Sequence, residues 1–568
     1  MHRIPSSSAA LVVIGLLAAA CSSTNEHAAD LVFRGGTVWT GDSLQPEAHA
    51  VAIRKDRIVY VGDENGVDSL IGANTRVVTL GNRLLMPGFV DTHVHPVSAG
   101  VQLGECNLAD IATIERLREV VAECNARDPN ASWIRGGGFA LPLFAGGTPT
   151  AALLDSLVPG RPAFLSSADG HNGWANSRAL AIAGITRDTR DPVNGVIVRD
   201  ARGNAVGTLR ESAQELVQQH IPPHTREEMR VGLERAVRRA NQLGITSWHE
   251  ASADEEILRA YTDADSLGRL TVRTVVALHV NVDSGPEQVQ GLAALRDRYA
   301  RPMVRPVAAK IFADGVLEGG TAALLADYTD RPGFRGDLNL PPARFNAIAR
   351  ALDSAGFKIH VHAIGDRAIR TSLDAIEQRH GARRVSGGPR PMIVHIQLFN
   401  STDISRFASL GVVASWQALW AFRDTYMKEL TEPRIGPTRA RWQYPLATMA
   451  RTGAIMAGGS DWFVSSLDPL QAIRVAVTRQ SPDDSTDAPF FPEERVDVET
   501  MLKAYTLGGA MASDAEQELG TIAVGKLADV IVLSADLRRV SPFQITRTPV
   551  VLTVLGGREV WRDSTAFK

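Results

Sequence analysis

A regular alternation of apolar and amphipathic segments through the middle of the chain constrains the fold most. Eight short apolar segments are predicted as buried strands, and they lie near residues 84–95, 244–250, 271–279, 308–314, 357–362, 391–396, 411–416 and 453–460. Helical patterns separate several of them, at residues 286–299, 343–355, 366–380 and 440–452. Eight strands with crossover helices predict an α/β fold, a (β/α)8 barrel of the TIM type, over residues 83–515.

Two further regions are predicted around this barrel. The first crossover connection is too long for one helix, so residues from about 100 to 225 are expected to form an insertion over the barrel mouth. Residues 30–82 and 516–561 hold short apolar strands punctuated by Gly and Asp. We expect these two ends of the chain to build one small β-sandwich domain together.

The first 20 residues differ from the rest. A positive start, Met1 to Arg3, precedes an apolar stretch, Ala9 to Ala20, that is too short to span a bilayer comfortably. Small residues then lead to Cys21, a pattern similar to a bacterial lipoprotein signal. The resemblance implies export, cleavage before Cys21, and attachment of the mature protein to a membrane, facing the periplasm or exterior, by lipid alone. Residues 21–29 are then a linker, and plain secretion after cleavage near Ala20 is the alternative.

Charge and cysteine content exclude several classes of protein. Lys and Arg number 60 against 63 Asp and Glu, a net charge of −3, so nothing indicates a nucleic-acid partner. No Cys-x-x-Cys pair occurs, which argues against a thiolate zinc site. Outside the leader, Cys106 and Cys124 could pair in an oxidising compartment or could stay free.

Ionisable side chains stand at the ends of the apolar strands. His93 and His95 end the first strand, where alternation places both imidazoles on one face, as two nitrogen ligands of one metal ion require. Active sites of such barrels lie at the C-terminal ends of the strands. Four more candidates at that rim are Lys310, His362, His395 and Asp461.

Each candidate alone also has an ordinary structural explanation. Lys310 could be a surface or salt-bridged lysine, and His362 could be a hydrogen-bonded core histidine. Asp461 could cap a helix, and His395 could only pack. His360 shares a face with His362, and we expect it inside the barrel. Together, polar residues at so many apolar strand ends predict a metal site, because their burial is costly unless they serve a function.

Several motifs carry a family resemblance. Residues 87–95, PGFVDTHVH, resemble the opening motif of the amidohydrolase superfamily. Five further segments resemble the amidohydrolase-3 (YtcJ-like) family of this superfamily. They are residues 169–177 (DGHNGWANS), 310–315 (KIFADG), 362–368 (HAIGDRA), 459–462 (GSDW) and 519–529 (LGTIAVGKLAD). These motifs occur in order over residues 30–561.

The resemblance implies a centre of one or two divalent metal ions, usually zinc. His93 and His95 would hold the first ion with Asp461, and His362 and His395 would hold the second. Lys310, carboxylated on its amine, would bridge them; unmodified, it would be an electrostatic partner of a single ion. A metal lowers the pKa of water, and Asp461 would carry the water proton to the leaving amine.

The function expected from these residues is hydrolysis of non-peptide carbon–nitrogen bonds in a small-molecule substrate. Amides, formamides and cyclic amides are the expected substrates. Expected contacts are His171 in the insertion, His249 at the end of the second strand, where its neighbour Glu250 could face the site instead, and Gln417 at the end of the seventh. Ester or lactone hydrolysis on the same scaffold is one alternative. A catalytically silent binding or regulatory lipoprotein is another, although the full ligand set argues against it.

Overall fold

The computed structural model describes residues 27–567, except residues 110, 128, 381–387 and 485. The predicted signal, residues 1–20, and Cys21 lie outside these described residues. Among the helices of the described part, none combines the length and the apolar character needed to cross a membrane.

Eight parallel strands form the central barrel, and each pairs with the next along the chain. They are β1 (Phe89–Val94), β2 (Ile245–Ala253), β3 (Arg273–His279), β4 (Val304–Phe312), β5 (Lys358–Ala363), β6 (Met392–His395), β7 (Val413–Trp416) and β8 (Met456–Gly458). The first and last strands nearly close the barrel, and Thr92 Oγ1 on β1 donates a hydrogen bond to the carbonyl of Gly458 on β8 at 2.9 Å. The predicted eight-stranded barrel is confirmed.

The predicted first strand, residues 84–95, is in fact two strands. Leu84–Pro87 pairs with Val530–Leu533 in another sheet, whereas Phe89–Val94 is β1. Gly88 joins them at a point where a Cβ would lie 2.2 Å from Thr246 Oγ1, so only glycine passes without displacing its neighbour. The Pro87-Gly88 dipeptide is the local signal for this break, although the apolar residues on both sides of it read as one continuous strand.

Helices surround the barrel and connect its strands. Their starts carry ordinary capping signals, such as the capping box of Thr225 and Glu228 at the helix that leads into β2. The helices of this layer are Pro96–Gln102, Arg226–Gln242, Glu255–Ser266, Gln288–Tyr299, Pro342–Ser354, Asp366–His380, Ile404–Leu410, Glu432–Ala440, Leu446–Arg451, Pro469–Thr478, Val498–Lys503 and Gly509–Ala512. A π-helical segment, Tyr426–Thr431, precedes one of them.

Two sheets built from both chain ends pack against each other. One sheet has the order Arg57–Gly62, Ala50–Arg54, Leu31–Arg34, Arg76–Thr79, with the short helix Glu64–Val67 beside it. The other has the order Arg558–Arg562, Val550–Leu555, Val530–Leu533, Leu84–Pro87, Thr37–Trp39, Glu47–Ala48. A shared apolar core that includes Phe33, Leu85 and Val532 joins the sheets. The small β-sandwich domain expected from the two chain ends is therefore present.

A separate six-stranded sheet lies in the long first crossover. Its strands, in spatial order, are Gly195–Arg199, Ala205–Glu211, Asn172–Ala175, Ala163–Ser167, Ile134–Phe139 and Cys106–Asn107. Its helices are Ile114–Arg127, Ala151–Leu157, Ser177–Ile182 and Glu215–Gln218. A disulfide between Cys106 and Cys124, with Cα atoms 5.5 Å apart, ties the edge strand to the first of these helices. This region supplies part of the wall of the cavity described next.

Candidate metal centre

A cavity of about 590 Å³ opens at the C-terminal ends of the barrel strands. Its wall contains all six residues predicted from the strand ends, which are His93, His95, Lys310, His362, His395 and Asp461. The barrel topology brings them together because parallel strands present their carboxyl ends at one rim.

His93, His95 and Asp461 form the tightest group in this wall. His93 lies on β1 and His95 follows directly after its last residue, and the two ring centroids are 5.5 Å apart. Oδ1 of Asp461 lies 3.3 Å from Nε2 of each histidine. One potential ligand atom from each residue lies within 4.8 Å of the other two, a spacing that one metal ion can bridge.

His395, His362 and Lys310 extend the group across the barrel. The His395 ring lies 4.8 Å from that of His93 and 4.6 Å from that of His362. Lys310 Nζ lies 3.3 Å from His93 Nε2. Nδ1 of His395 is buried and, among the described residues, has no hydrogen-bond partner, and burial holds the pKa of His395 well below its usual range. A neutral buried imidazole with an unused nitrogen is the chemistry of a metal ligand.

Comparison with known proteins agrees with this centre. Residues 76–561 match the model of the amidohydrolase family named Amidohydro_3. The chain belongs to the amidohydrolase family. Over 94% of its length it is 30% identical to the protein LONG AFTER FAR-RED 3 of Arabidopsis thaliana, covering 92% of that protein. It is 29% identical to the putative amidohydrolase YtcJ of Bacillus subtilis, with 94% of this chain and 99% of that protein covered.

Two further proteins extend the comparison: one is a relative whose name states a reaction, and the other has a solved structure. The chain is 26% identical to the N-substituted formamide deformylase of Arthrobacter pascens, over 93% of this chain and 97% of that protein. A crystal structure of an uncharacterized metal-dependent hydrolase from Pyrococcus furiosus matches with a TM-score of 0.69 and 26% identity, over 90% of this chain and 99% of the other. Together with the His93, His95 and Asp461 cluster, this supports a divalent metal ion in this amidohydrolase.

The buried Asp91 connects two of the segments that carry the candidate metal ligands of this amidohydrolase. Its Oδ1 accepts hydrogen bonds from the backbone N–H groups of His93 at 3.1 Å and Ser460 at 3.0 Å, which joins the end of β1 to the loop after β8. The N–H of Asp461 in turn donates to the carbonyl of His93 at 2.7 Å. Burial raises the pKa of Asp91 to about 7. Sequence reasoning gave Asp91 no role, although it lies within the quoted β1 motif.

Two further residues orient the histidines of β1. His360 Nε2 lies 2.8 Å from His93 Nδ1, the nitrogen opposite the one that faces Asp461. Glu250 Oε1 lies 3.7 Å from His95 Nδ1. A hydrogen bond at the second ring nitrogen, such as that between His360 and His93, fixes the tautomer and orientation of a ligating histidine. The interior position expected for His360 agrees with its complete burial.

The insertion contributes His171 to the cavity wall, where sequence analysis expected a substrate contact. His171 Nδ1 lies 2.8 Å from Glu211 Oε2, and its ring lies 6.5 Å from that of His362. Burial opposes a charge on His171, but the facing Glu211 carboxylate outweighs it and raises the pKa to about 9. Glu211 also accepts a hydrogen bond from Thr321 Oγ1 at 2.9 Å. No sequence signal pointed to Glu211.

The other two expected substrate contacts are His249 and Gln417. Among the described residues, neither lines the cavity. His249 is fully buried, with Nε2 2.7 Å from Ser513 Oγ. Its neighbour Glu250 faces His95 instead, because successive side chains of β2 point to opposite sides. Gln417 is buried behind Gly459, where a Cβ would lie 3.0 Å from its Nε2. Their placement does not support a direct contact with substrate.

Proposed function

We propose that this amidohydrolase hydrolyses non-peptide carbon–nitrogen bonds of amides, formamides or cyclic amides at a divalent metal centre, with zinc as the expected ion. The observation that carries the proposal is the position of Asp461. Its carboxylate lies 3.3 Å from both His93 and His95, in a cavity large enough for a small-molecule substrate. A carboxylate in that place can both bind metal and accept a proton from water.

The ligand assignment follows the two halves of the cluster. His93, His95 and Asp461 would hold one ion, and His362 and His395 would hold a second. Burial lowers the pKa of Lys310 to about 7, so a large fraction of its amine is neutral near pH 7. A neutral amine can add carbon dioxide and release a proton, and the resulting carbamate offers the anionic oxygens that would bridge two ions.

The bound metal supplies polarisation of the substrate carbonyl and a lowered pKa of water. Asp461 removes a proton from the attacking water and delivers it to the leaving nitrogen, so that the products are a carboxylic acid and an amine. His171 is oriented through Nδ1 by Glu211, which leaves Nε2 for the substrate. A positively charged donor at this wall stabilises negative charge that develops on the substrate oxygen.

The formamide deformylase from Arthrobacter pascens supports a carbon–nitrogen bond rather than an ester. Its similarity extends over 93% of this chain, so the insertion and the terminal domain are included as well as the barrel. Release of formate and an amine from an N-substituted formamide is therefore the first reaction to test.

The test is a hydrolysis assay on purified protein with N-formyl amines, N-acetyl amines, cyclic amides and matched esters. Metal content is measured in parallel, before and after chelation and after addition of zinc or manganese. We expect amine release that is lost on chelation and restored by metal. Metal-loaded protein that cleaves only the esters, or purified protein that binds no metal at all, would contradict the proposal.

A further inference from the structure

Outside the metal centre, four carboxylates line the same cavity. Asp483 is exposed at the rim, and the other three are partly buried and come from separate parts of the chain. Asp169 comes from the insertion, Glu318 from the segment after β4, and Asp424 from the segment after β7. Within the described part of the chain, none of them forms an ion pair with Lys or Arg. His171 is the basic residue of this wall outside the metal centre, and its charge is already matched by Glu211. The part of the wall outside the metal centre therefore carries a net negative charge.

Hydrogen bonds satisfy only one oxygen of each carboxylate. Oδ1 of Asp169 accepts the N–H of His171 at 2.9 Å, while its buried Oδ2 has no partner among the described residues. Oε1 of Glu318 accepts from Gln397 Nε2 at 3.3 Å and from Thr431 Oγ1 at 3.0 Å. These bonds hold both carboxylates in place, and the second oxygen of each accepts no hydrogen bond from the described residues.

Asp424 also has a hydrogen bond at only one of its carboxylate oxygens. Its Oδ1 accepts the N–H of Met427 at 2.8 Å. Burial, with a contribution from the nearby charge of Glu318, raises the pKa of Asp424 to about 6, so the group is still mostly ionised at pH 7. The charge of Lys428 opposes this rise, but Lys428 is exposed and is not part of the wall. Partly buried like charges are unfavourable in the empty site, and a cation between them would remove this cost.

Tyr444 provides an independent sign of a missing partner. Its side chain lines the cavity and is 2% exposed, and its hydroxyl has no hydrogen-bond partner among the described residues. Its backbone is in the left-handed region at φ 50°, held by a bond from its N–H to the carbonyl of Gln397 at 3.0 Å. A non-glycine residue in this strained conformation persists only when its surroundings fix it. This fixed backbone holds the Tyr444 side chain at the cavity wall.

Aromatic rings complete this part of the wall. Trp420 stacks on the His395 ring at 5.6 Å with an interplanar angle of 5°, and Phe422 and Tyr426 line the cavity near Asp424 in the chain. The faces of such rings attract cations, and aromatic side chains are a common means of binding alkylammonium groups. Carboxylates and aromatic faces together favour a positively charged, partly apolar group. They disfavour an anionic group, which would meet three like charges.

We propose that Asp169, Glu318, Asp424 and the surrounding aromatic residues form a subsite for an alkylammonium group of the substrate. The substrates are then N-acyl or N-formyl amines that carry a second, positively charged nitrogen. This inference rests on the proposed function, since it assigns a substrate class to the same cavity. An uncharged substrate would leave the carboxylates desolvated and unpaired, which is costly.

The experiment compares ligands of equal shape and different charge. (2-Formamidoethyl)trimethylammonium, its uncharged isostere N-(3,3-dimethylbutyl)formamide and the anion 3-formamidopropanoate are titrated into metal-loaded protein by calorimetry, together with longer homologues of each. We expect the cation to bind at least about tenfold more tightly than the isostere, and the anion to bind more weakly than either. Equal affinity of cation and isostere at every chain length would overturn the proposal.

Three variants locate the effect. Glu318→Gln and Asp424→Asn each remove one charge from the wall and should reduce the preference for the cation several-fold. Glu429→Gln removes one charge from the exposed side of the same segment, and the preference should stay as in the wild type. Thermal melts establish that each variant is folded. If one wall variant does not fold, the other still tests the proposal. An unchanged preference in both folded wall variants would contradict the subsite.

This inference rests on the proposed function, and separate measurements of binding and of cleavage distinguish a failure of the subsite from a failure of the proposed hydrolysis. Tight, charge-dependent binding of the cation without any formate release supports the subsite and contradicts the proposed hydrolysis. Formate release from the cation and the isostere with equal kcat/KM supports the hydrolysis and contradicts the subsite.

Discussion

At the scale of single residues, the metal centre is built from strained backbone. Asp461 and His395 both adopt left-handed conformations, with φ of 54° and 70°. Such conformations are uncommon for residues other than glycine and cost on the order of 1–3 kcal/mol each. The surrounding hydrogen bonds, such as the bond from Asp461 N–H to the His93 carbonyl, maintain these conformations. The geometry of the centre is therefore fixed before a metal or substrate arrives.

Replacement of Asp461 with Asn tests the proposed proton transfer. The amide keeps the size and one oxygen ligand but cannot accept the proton, so kcat should fall by about 10²–10⁴. Metal content, measured by elemental analysis, should stay above half of the wild-type value, since His93 and His95 remain. A matched variant at the exposed Asp483 of the cavity rim, Asp483→Asn, should lose far less activity. Wild-type turnover in Asp461→Asn would rule out this role.

The His171 and Glu211 pair predicts a pH-dependent stability. Because the pKa of His171 is raised to about 9 in the folded state, its contribution is fully present below about pH 6.5 and is lost as the pH rises through about 9. Glu211→Gln removes the anion that raises this pKa. Urea denaturation from pH 6 to 10 should therefore show a smaller decline for Glu211→Gln than for the wild type. The exposed control Glu215→Gln should decline as the wild type does.

The sequence was sufficient to predict the ligand candidates but not the residues that position them. His93, Lys310 and Asp461 could be found because an ionisable residue at the end of an apolar strand is conspicuous. Asp91 and Glu211 act through partners that only the fold brings near, such as the N–H of Ser460. The choice between His249 and Glu250 depended on strand register, which shifts at a bulge between Trp248 and Glu250.

At the scale of elements, a close helix crossing fixes the chain that follows His95. Helix Pro96–Gln102 packs on helix Arg226–Gln242 at Gly100, where a Cβ would lie 1.9 Å from the carbonyl oxygen of Gly232. That oxygen belongs to helix backbone and cannot move alone. The crossing therefore sets the distance between the first barrel helix and the helix that leads into β2.

Gly100→Ala should accordingly destabilise the protein by about 1–3 kcal/mol, because it forces the two helices apart. The matched control is Gly291→Ala, at the fourth residue of helix Gln288–Tyr299, where a Cβ would meet no atom within 4 Å. That change should stabilise by up to about 1 kcal/mol through helix propensity. Urea denaturation of both variants measures the difference, and equal effects would contradict the close crossing.

The predicted and observed helix boundaries agree where the sequence pattern is long and differ where it is interrupted. The helices predicted at residues 286–299, 343–355 and 366–380 are present within two residues of those bounds, because their periodicity is long and uninterrupted. The helix predicted at residues 440–452 is confined to Leu446–Arg451. The chain departs from helical geometry at Tyr444, whose φ is 50°. The local signal for this break is Pro445, because proline disfavours helical backbone at the residue before it.

At the scale of the whole molecule, an ion pair joins the barrel to the terminal domain. Arg273 on β3 donates to both carboxylate oxygens of Asp529, with Nε at 2.6 Å and Nη2 at 3.2 Å. The Asp529 side chain is 2% exposed, and it also accepts the N–H of Gly556 at 2.7 Å. This carboxylate connects three segments that are far apart in the chain.

Asp529→Ala should lower the free energy of unfolding by about 2–4 kcal/mol, because it leaves Arg273 partly buried without its partner. The double variant Arg273→Met with Asp529→Leu should recover much of that loss, since it removes both charges together. Chemical denaturation of the single and double variants provides the measurement. A single variant as stable as the wild type would show that the ion pair does not hold the domains together.

We also propose that the protein is exported and held at a membrane through a lipid on Cys21. The disulfide between Cys106 and Cys124 supports an oxidising compartment, where such bonds persist. Cys21→Ser should then move the protein from the membrane fraction to the soluble fraction after cell lysis, with its thermal melting temperature unchanged. Equal membrane retention of the variant, measured by immunoblot, would contradict the anchor.

The order in which the strands of the terminal domain are made has a consequence for biogenesis. Leu84–Pro87 pairs with Val530–Leu533, which is synthesised more than 440 residues later. At about 5–20 residues per second, the ribosome needs roughly 20–90 s to produce that partner. Throughout this interval a nascent chain carries an apolar strand with a free edge, the kind of surface that chaperones protect from aggregation.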